Sequence, residues 1–378
     1  MAGKTPTKFT TSVTVSSRLR HAAEVAIGEV LGTRRGERVL IVANPGGDAQ
    51  PIALALYDAA CDAGGSPAVA FQPAKTQMDM AEDAVIYAMR SEPEIVISVS
   101  SLKMGKDRFA MEKGYKVGRR SINHVFDYLR AAKKMRGFWS PSVTVPMFES
   151  TVPIDYARLR ANCGKLKRIF DRAVEAHITS RLGTDLVLGF KGRKAFTDDG
   201  NFTSPGRGGN LPAGEMYVSP ELGRGEGTLV FDGCVASDRG VILIREPIRV
   251  TVRRNLVAGI AGGAEARALK QTLDRARVSA RGLAKEGKIP KSDLPEYLEN
   301  AGNLGELGIG LNEKARIVGN MLEDEKVFKT CHIAIGSNYD GDARALIHLD
   351  GLVKKPTIVT SDSSGRKTLV MKDGLIVI

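Results

Sequence analysis

The chain has 378 residues, is 43% hydrophobic and 26% charged, and carries a formal net charge of +12. That length is about two domains' worth, and the composition is that of a folded α/β or α+β protein rather than a disordered or fibrous chain. The positive residues are dispersed, as in KKMR at 133–136 and KLKR at 165–168, with no interleaved aromatics, so nucleic acid is not an expected partner; attraction of anionic substrates stays open.

In chain order, the N-terminal MAGKTPTKFTTSVTV lacks the apolar core of a signal peptide. Residues 13–31 then show helical spacing through Leu19, Ala22, Ala23, Ala26, Ile27 and Val30. RGERVLIVANPGGD reads as a buried strand entering a Gly-Pro turn; it lacks both G-x-G-x-x-G and the P-loop lysine, so it is not read as a nucleotide loop. ALALYDAACDAGG follows as a helix, 67–71 as a strand, DMAEDAVIYAMRS as a helix and EIVISVSS as a buried strand. Strands alternating with helices predict a parallel sheet with covering helices. Residues 118–175 read as helical with polar interruptions: RRSINHVFDYLRAAKKM, an extended SPSVTVPMF, and DYARLRANCGKLKRIFDRAVEA. His124 and His177 are read as helix surface or core.

Near residue 177 the pattern changes. ITSRLGTDLVLGFKGRKAFTDDG, GTLVFDG, GVILIREPIRVTVRRNLVAGIAGG, KPTIVTSD and TLVMKDGLIVI alternate as short strands, with helices around ALKQTLDRARVSARGLAK and SDLPEYLENAG. The layout expected is therefore α+β in two domains: an α/β domain over 1–177 with a parallel sheet and covering helices, and a β-rich, metal-binding domain over 178–378. The longest apolar runs, such as VLIVA at 39–43, are too short to span a bilayer, so no membrane association is expected. Cysteines 61, 163, 234 and 331 show no C-x-x-C spacing, which fits a reducing cytoplasm and no disulfide framework.

The candidate chemistry lies in the rear half. Two of the five histidines, His332 and His348, sit in the apolar runs CHIAIG and ALIHLDG. His348 and Asp350 are two apart, so on a strand both leave one face, as ligands of a divalent metal would. A histidine in an apolar run is as readily a core residue with one hydrogen bond, and H-x-D alone is a weak signal. Glu306 stands among glycines and apolar residues, where a solvated carboxylate has no need to be. Glu215 opens the strand-like EMYVS and reads equally as a surface residue beside a turn. Tyr339 reads as a core phenol or a ligand. LEDEK at 322–326 reads as a solvated charge cluster.

NLPAGE, LGELGIGLN, DEKVFKTCHIAIG and IHLDG, in this order, resemble the M29 metallopeptidases of the aminopeptidase T and aminopeptidase S group; GTDLVLGFKGR at 183–193 and RGFWSPSVT at 136–144 also fit. The resemblance covers the rear half motif by motif. It implies Glu215, Glu306, His332, Tyr339, His348 and Asp350 as metal ligands, two divalent ions of the zinc, cobalt or manganese class, and a homodimer. It further implies an aminopeptidase-like hydrolase that activates water to cleave a peptide or small-molecule amide. The stretch between His332 and His348 is shorter than in well-known members, and Lys329 stands where glycine is common. No general base is named, because every carboxylate is also a candidate ligand. The alternative is the 2,5-dihydroxypyridine dioxygenase type, which is similar in fold and holds one iron(II) through two His and one Asp. In that type a His takes the place of Glu306 and the first glutamate is missing, whereas Glu215 and Glu306 are both present here. A non-catalytic binding protein is a third class, against which the full ligand set argues.

Overall fold

The computed structural model describes residue 8 and residues 15–76, 79–118 and 120–378. These form two compact units. One runs up to Arg160 and takes back Asp198–Ala213; the other is Ala161–Thr197 with Gly214–Ile378.

The first unit is built on a five-stranded parallel sheet. Its order is Gly208–Asn210, Arg136–Pro141, Ile95–Ser100, Arg38–Ala43 and Ser66–Phe71. The central strand Ile95–Ser100 is buried at every position, which is why it reads as a continuous apolar run rather than an alternating one. Val85, Ile86 and Met89 from helix Asp83–Arg90 and Phe126 and Leu129 from helix Val125–Ala131 pack with Leu40, Val42 and Val96 of the sheet. The predicted first helix is Ser17–Val25, capped by Ser16 and continued by a π-helical turn over Ala26–Val30; residues 13 and 14 lie outside the described residues.

The segment after residue 118 departs from the helical reading. Tyr115–Val117 and Arg120–Ile122 form a hairpin, Arg136–Pro141 is a sheet strand, and Val145–Thr151, part of the expected extended stretch, is a helix capped by Thr144. Short runs such as RGFWSP carry no period long enough to separate strand from helix. His124 is the N-cap of Val125–Ala131, its Nδ1 accepting from the Phe126 amide at 3.1 Å, and His177 lies on strand Ala173–Thr179 rather than on a helix.

The second unit holds two sheets. The larger, eight-stranded one runs Leu256–Ala261, Ile248–Arg253, Gly225–Phe231, Asp185–Gly189, Ala173–Thr179, Thr357–Asp362, Lys367–Lys372 and Leu375–Ile376. Ile248–Arg253 alternates buried and exposed along its length, as a strand with one covered face does. The seven-stranded sheet runs Gly240–Leu243, Cys234–Ser237, His348–Lys354, Thr330–Gly336, Leu304–Gly310, Glu215–Val218 and Phe196–Asp198. Beside the division expected at 177/178, contacts group the chain into units that part after Arg160, and a late segment returns to give the parallel sheet its edge strand Gly208–Asn210. No helix among the described residues is long and apolar enough to cross a membrane.

Candidate metal centre

Four neighbouring strands of the seven-stranded sheet carry the chemistry, and their register sets who meets whom. Glu306 and Asp350 both lie opposite Ala334, one from each side; Gly308 lies opposite His332, Gly336 opposite His348, and Gly310 opposite Glu215. Residues directly opposite in an antiparallel pair, and those two apart along a strand, share a face. Glu215, Glu306, His332, His348 and Asp350 therefore rise from one face, each facing a glycine or Ala334. The small residues leave the volume into which the large polar side chains converge.

Glu306 is the hub. Its Oε1 lies 3.1 Å from His332 Nε2, and its Oε2 lies 3.2 Å from His348 Nε2. His348 Nε2 is 3.3 Å from Asp350 Oδ1, and His332 Nε2 is 3.4 Å from Glu215 Oε2. The His348–Asp350 pair therefore shares a strand face, as its spacing predicted. His348 Nδ1 donates to the Ser337 carbonyl oxygen at 2.8 Å, which turns Nε2 toward the carboxylates.

Glu215, Glu306, His332 and Asp350 are buried, where carboxylates are stable only when paired or bound to a cation. Burial works against charge at Asp350, yet the neighbouring His348 and then His332 hold its carboxyl down at about 2. At His332 burial opposes the proton, but the hydrogen bond to Glu306 and the charge of Glu215 carry the imidazole up to about 9. Even so, Glu215 Oε2, Glu306 Oε2, Asp350 Oδ1 and His332 Nδ1 are buried without a hydrogen bond. Carboxylate oxygens aimed at one another's space and at imidazole nitrogens, without hydrogen bonds, are what a cation would satisfy. Two triads have ligand atoms within 4.8 Å of one another: Glu306, His348 and Asp350, and Glu215, Glu306 and His332, with Glu306 in both. Five of the six expected ligands are thus brought together.

Tyr339 stands at the rim and is 59% exposed. Its ring packs edge-on against His348 at 5.2 Å and tilted against Tyr217 at 5.0 Å, and Tyr217 stacks on Phe196. Arg193 anchors the loop that follows through Asp340 and Asp342.

The reading of LEDEK as a solvated cluster is overturned. Glu323, Asp324 and Lys326 are buried, and Lys326 is 0% exposed. Glu323 Oε1 accepts from the Arg316 amide, and Asp324 accepts from the amides of Val318 and Gly319 and from Cys234 Sγ. Lys326 Nζ donates to Glu215 Oε1 at 2.5 Å and Glu325 Oε1 at 2.6 Å. Burial pushes the Glu325 carboxyl up to about 8 against the pull of Lys326. Apolar Met321 and Leu322 before the cluster, and Val327 and Phe328 after it, are the signal that could have marked these charges as interior. Lys329, at the position where glycine was expected, takes a φ of 69°, a conformation open to glycine without strain.

Residues 147–335 match a family model described as NicX, 2,5-dihydroxypyridine 5,6-dioxygenase, a span of half the chain that ends before Tyr339, His348 and Asp350. Among solved structures, the 2,5-dihydroxypyridine dioxygenase from Pseudomonas putida KT2440 superposes with a TM-score of 0.70 at 15% identity, over 96% of this chain and 98% of that one. Wild-type AmpT from Thermus thermophilus superposes with a TM-score of 0.64 at 18% identity, over 96% and 99%. At these identities the two likenesses show the fold. No curated protein matches the chain.

Proposed function

Because the chain belongs to the NicX, 2,5-dihydroxypyridine 5,6-dioxygenase, family, we propose that it is a single-metal oxygenase that opens a hydroxylated aromatic ring of the dihydroxypyridine class. The M29 resemblance keeps its support at the level of fold, through the AmpT structure; the family match favours the ring-cleaving alternative over the peptidase.

Within the site, the observation that carries the reading is the His348–Asp350 pair, with Glu306 closing a triad around it. His348 is held in one orientation by Ser337, Glu306 Oε2 and Asp350 Oδ1 flank its Nε2 without hydrogen bonds, and all three come from rigid strands. When bound there, iron(II) supplies open positions for oxidation of a ring by dioxygen. The residues themselves do the rest: Glu306 and Asp350 offset the ion's charge, His332 orients Glu306, and the Tyr339, Tyr217 and Phe196 rings offer a surface on which a planar aromatic substrate stacks. His348 and Asp350 supply two ligands of the two-His, one-Asp pattern, and Glu306 stands where its second His is expected.

The second reading is the two-metal hydrolase, favoured by the Glu215–Glu306–His332 triad beside the first. Protein loaded anaerobically with iron(II) and given 2,5-dihydroxypyridine in an oxygen electrode separates the two. Oxygen uptake matched one-to-one by loss of the ring's ultraviolet band is expected. Absence of uptake overturns the oxygenase reading, and release of amino acids from peptides by the zinc- or cobalt-loaded protein would put the hydrolase in its place.

A further inference from the structure

The second triad has a feature that the first lacks: a fixed positive charge. Lys326 is a fully buried lysine, and its ammonium sits on Glu215, whose other oxygen completes the Glu215–Glu306–His332 triad. Its position is set by the main chain. The Lys326 amide donates to the Glu323 carbonyl oxygen, its own carbonyl oxygen accepts from the Asn312 amide, and Val327 bridges to Asn312. A side chain so placed has no solvent to swing into, and removing a buried ammonium from its carboxylates is unfavourable.

We infer that the Lys326 ammonium takes the place of a second metal ion: it neutralises Glu215 and so limits the centre to one divalent cation, held by Glu306, His348 and Asp350. This rests on the reading of those three residues as ligands. Glu215 then acts as the counter-ion of Lys326, and Glu306 and Asp350 are left as the pair of carboxylates that offset one divalent charge. A second dication bound through Glu215 Oε2 would stand beside the ammonium in a buried site, where like charges are screened least. A neutral side chain at 326 removes that repulsion and returns Glu215 to the metal.

The test is metal stoichiometry. Wild type, Lys326→Gln and the double variant Glu215→Gln/Lys326→Gln are equilibrated with excess manganese(II), freed of unbound ion, and measured for manganese per chain, with circular dichroism to confirm folding. A plateau of one ion for wild type, two for Lys326→Gln and one again for the double variant is expected. Two ions in wild type, or one in folded Lys326→Gln, overturns the inference. If Lys326→Gln does not fold, Glu215→Gln alone decides: retention of one ion supports the inference and loss of it overturns it. The failures are separable. Full manganese retention in His348→Ala would sink the ligand reading on which oxygenase and stoichiometry both rest. Absent oxygen uptake together with the expected ion counts would sink the oxygenase alone.

Discussion

Gly308 faces His332 across two paired strands so closely that a methyl group at 308 would lie 1.9 Å from His332 Nε2. The imidazole fills the space that the missing side chain leaves, and that places it on Glu306. Gly308→Ala is therefore expected to drive His332 off Glu306 while sparing the strand pairing. Loss of an orienting partner of a ligand weakens metal binding by about 10–100-fold. Calorimetric titration with manganese(II) measures this, and an unchanged Kd would show that His332 does not orient the site.

His348→Ala and Asp350→Ala are each expected to remove the bound ion and the activity, since each takes away one of the three proposed ligands on a common face of the sheet. Leu349 between them points to the other face and is 5% exposed. Leu349→Ala is expected to lower stability by about 2–5 kcal/mol and to leave metal content intact. Metal analysis and thermal melts on the three variants check the contrast; a reversed pattern would make the strand structural.

Tyr339 packs on His348 and Tyr217 from an exposed position, the arrangement of a stacking surface. Tyr339→Ala is expected to raise KM for a hydroxylated pyridine about fivefold, from the roughly 1 kcal/mol that an aromatic pair contributes beyond its buried area, with metal content unchanged. Tyr339→Phe should stay near wild type. Loss of metal in Tyr339→Phe would instead make the hydroxyl a ligand.

In the first unit, Arg136 donates to both oxygens of Glu37, at 3.0 and 2.6 Å, and to the Leu31 and Gly32 carbonyl oxygens. Partial burial raises the Glu37 carboxyl, but the Arg136 bonds outweigh it, and the folded value lies below the usual 4.5. A depressed folded value stabilises above the unfolded one, so the contribution is full above about pH 4.5. It is lost as pH falls through the folded value. Glu37→Gln is expected to cost about 1.5–3 kcal/mol at pH 7 and to flatten the pH dependence of stability below pH 4.5. Urea melts at pH 7 and pH 3 read both; an equal loss at the two values would refute the linkage.

Local pattern carried far in this chain. Alternating strands and helices before residue 118 predict the parallel sheet, because a strand covered on both faces must be apolar throughout, as Ile95–Ser100 is. The two-residue spacing of His348 and Asp350 already implies a shared face, since side-chain alternation is a property of one strand alone. Glu306, His332 and His348 were legible as candidates because each stands inside an apolar run, where a buried carboxylate or imidazole needs a partner; Glu215 was implied only by the family resemblance.

Cross-strand register and burial are not local, and they decided the remainder. Nothing within LEDEK distinguishes a solvated cluster from one folded inward; only the sheet beside it places Lys326 on Glu215, a partner 111 positions away. The return of Asp198–Ala213 to the first unit depends on pairing between Gly208–Asn210 and Arg136–Pro141, which a stretch of three residues cannot announce. Sequence by itself determined which residue types stand on which strand faces, because the period of a strand is covalent geometry. Tertiary structure alone decided that Glu306 joins two histidines and that an ammonium lies beside Glu215, because distances between separate strands are set by packing.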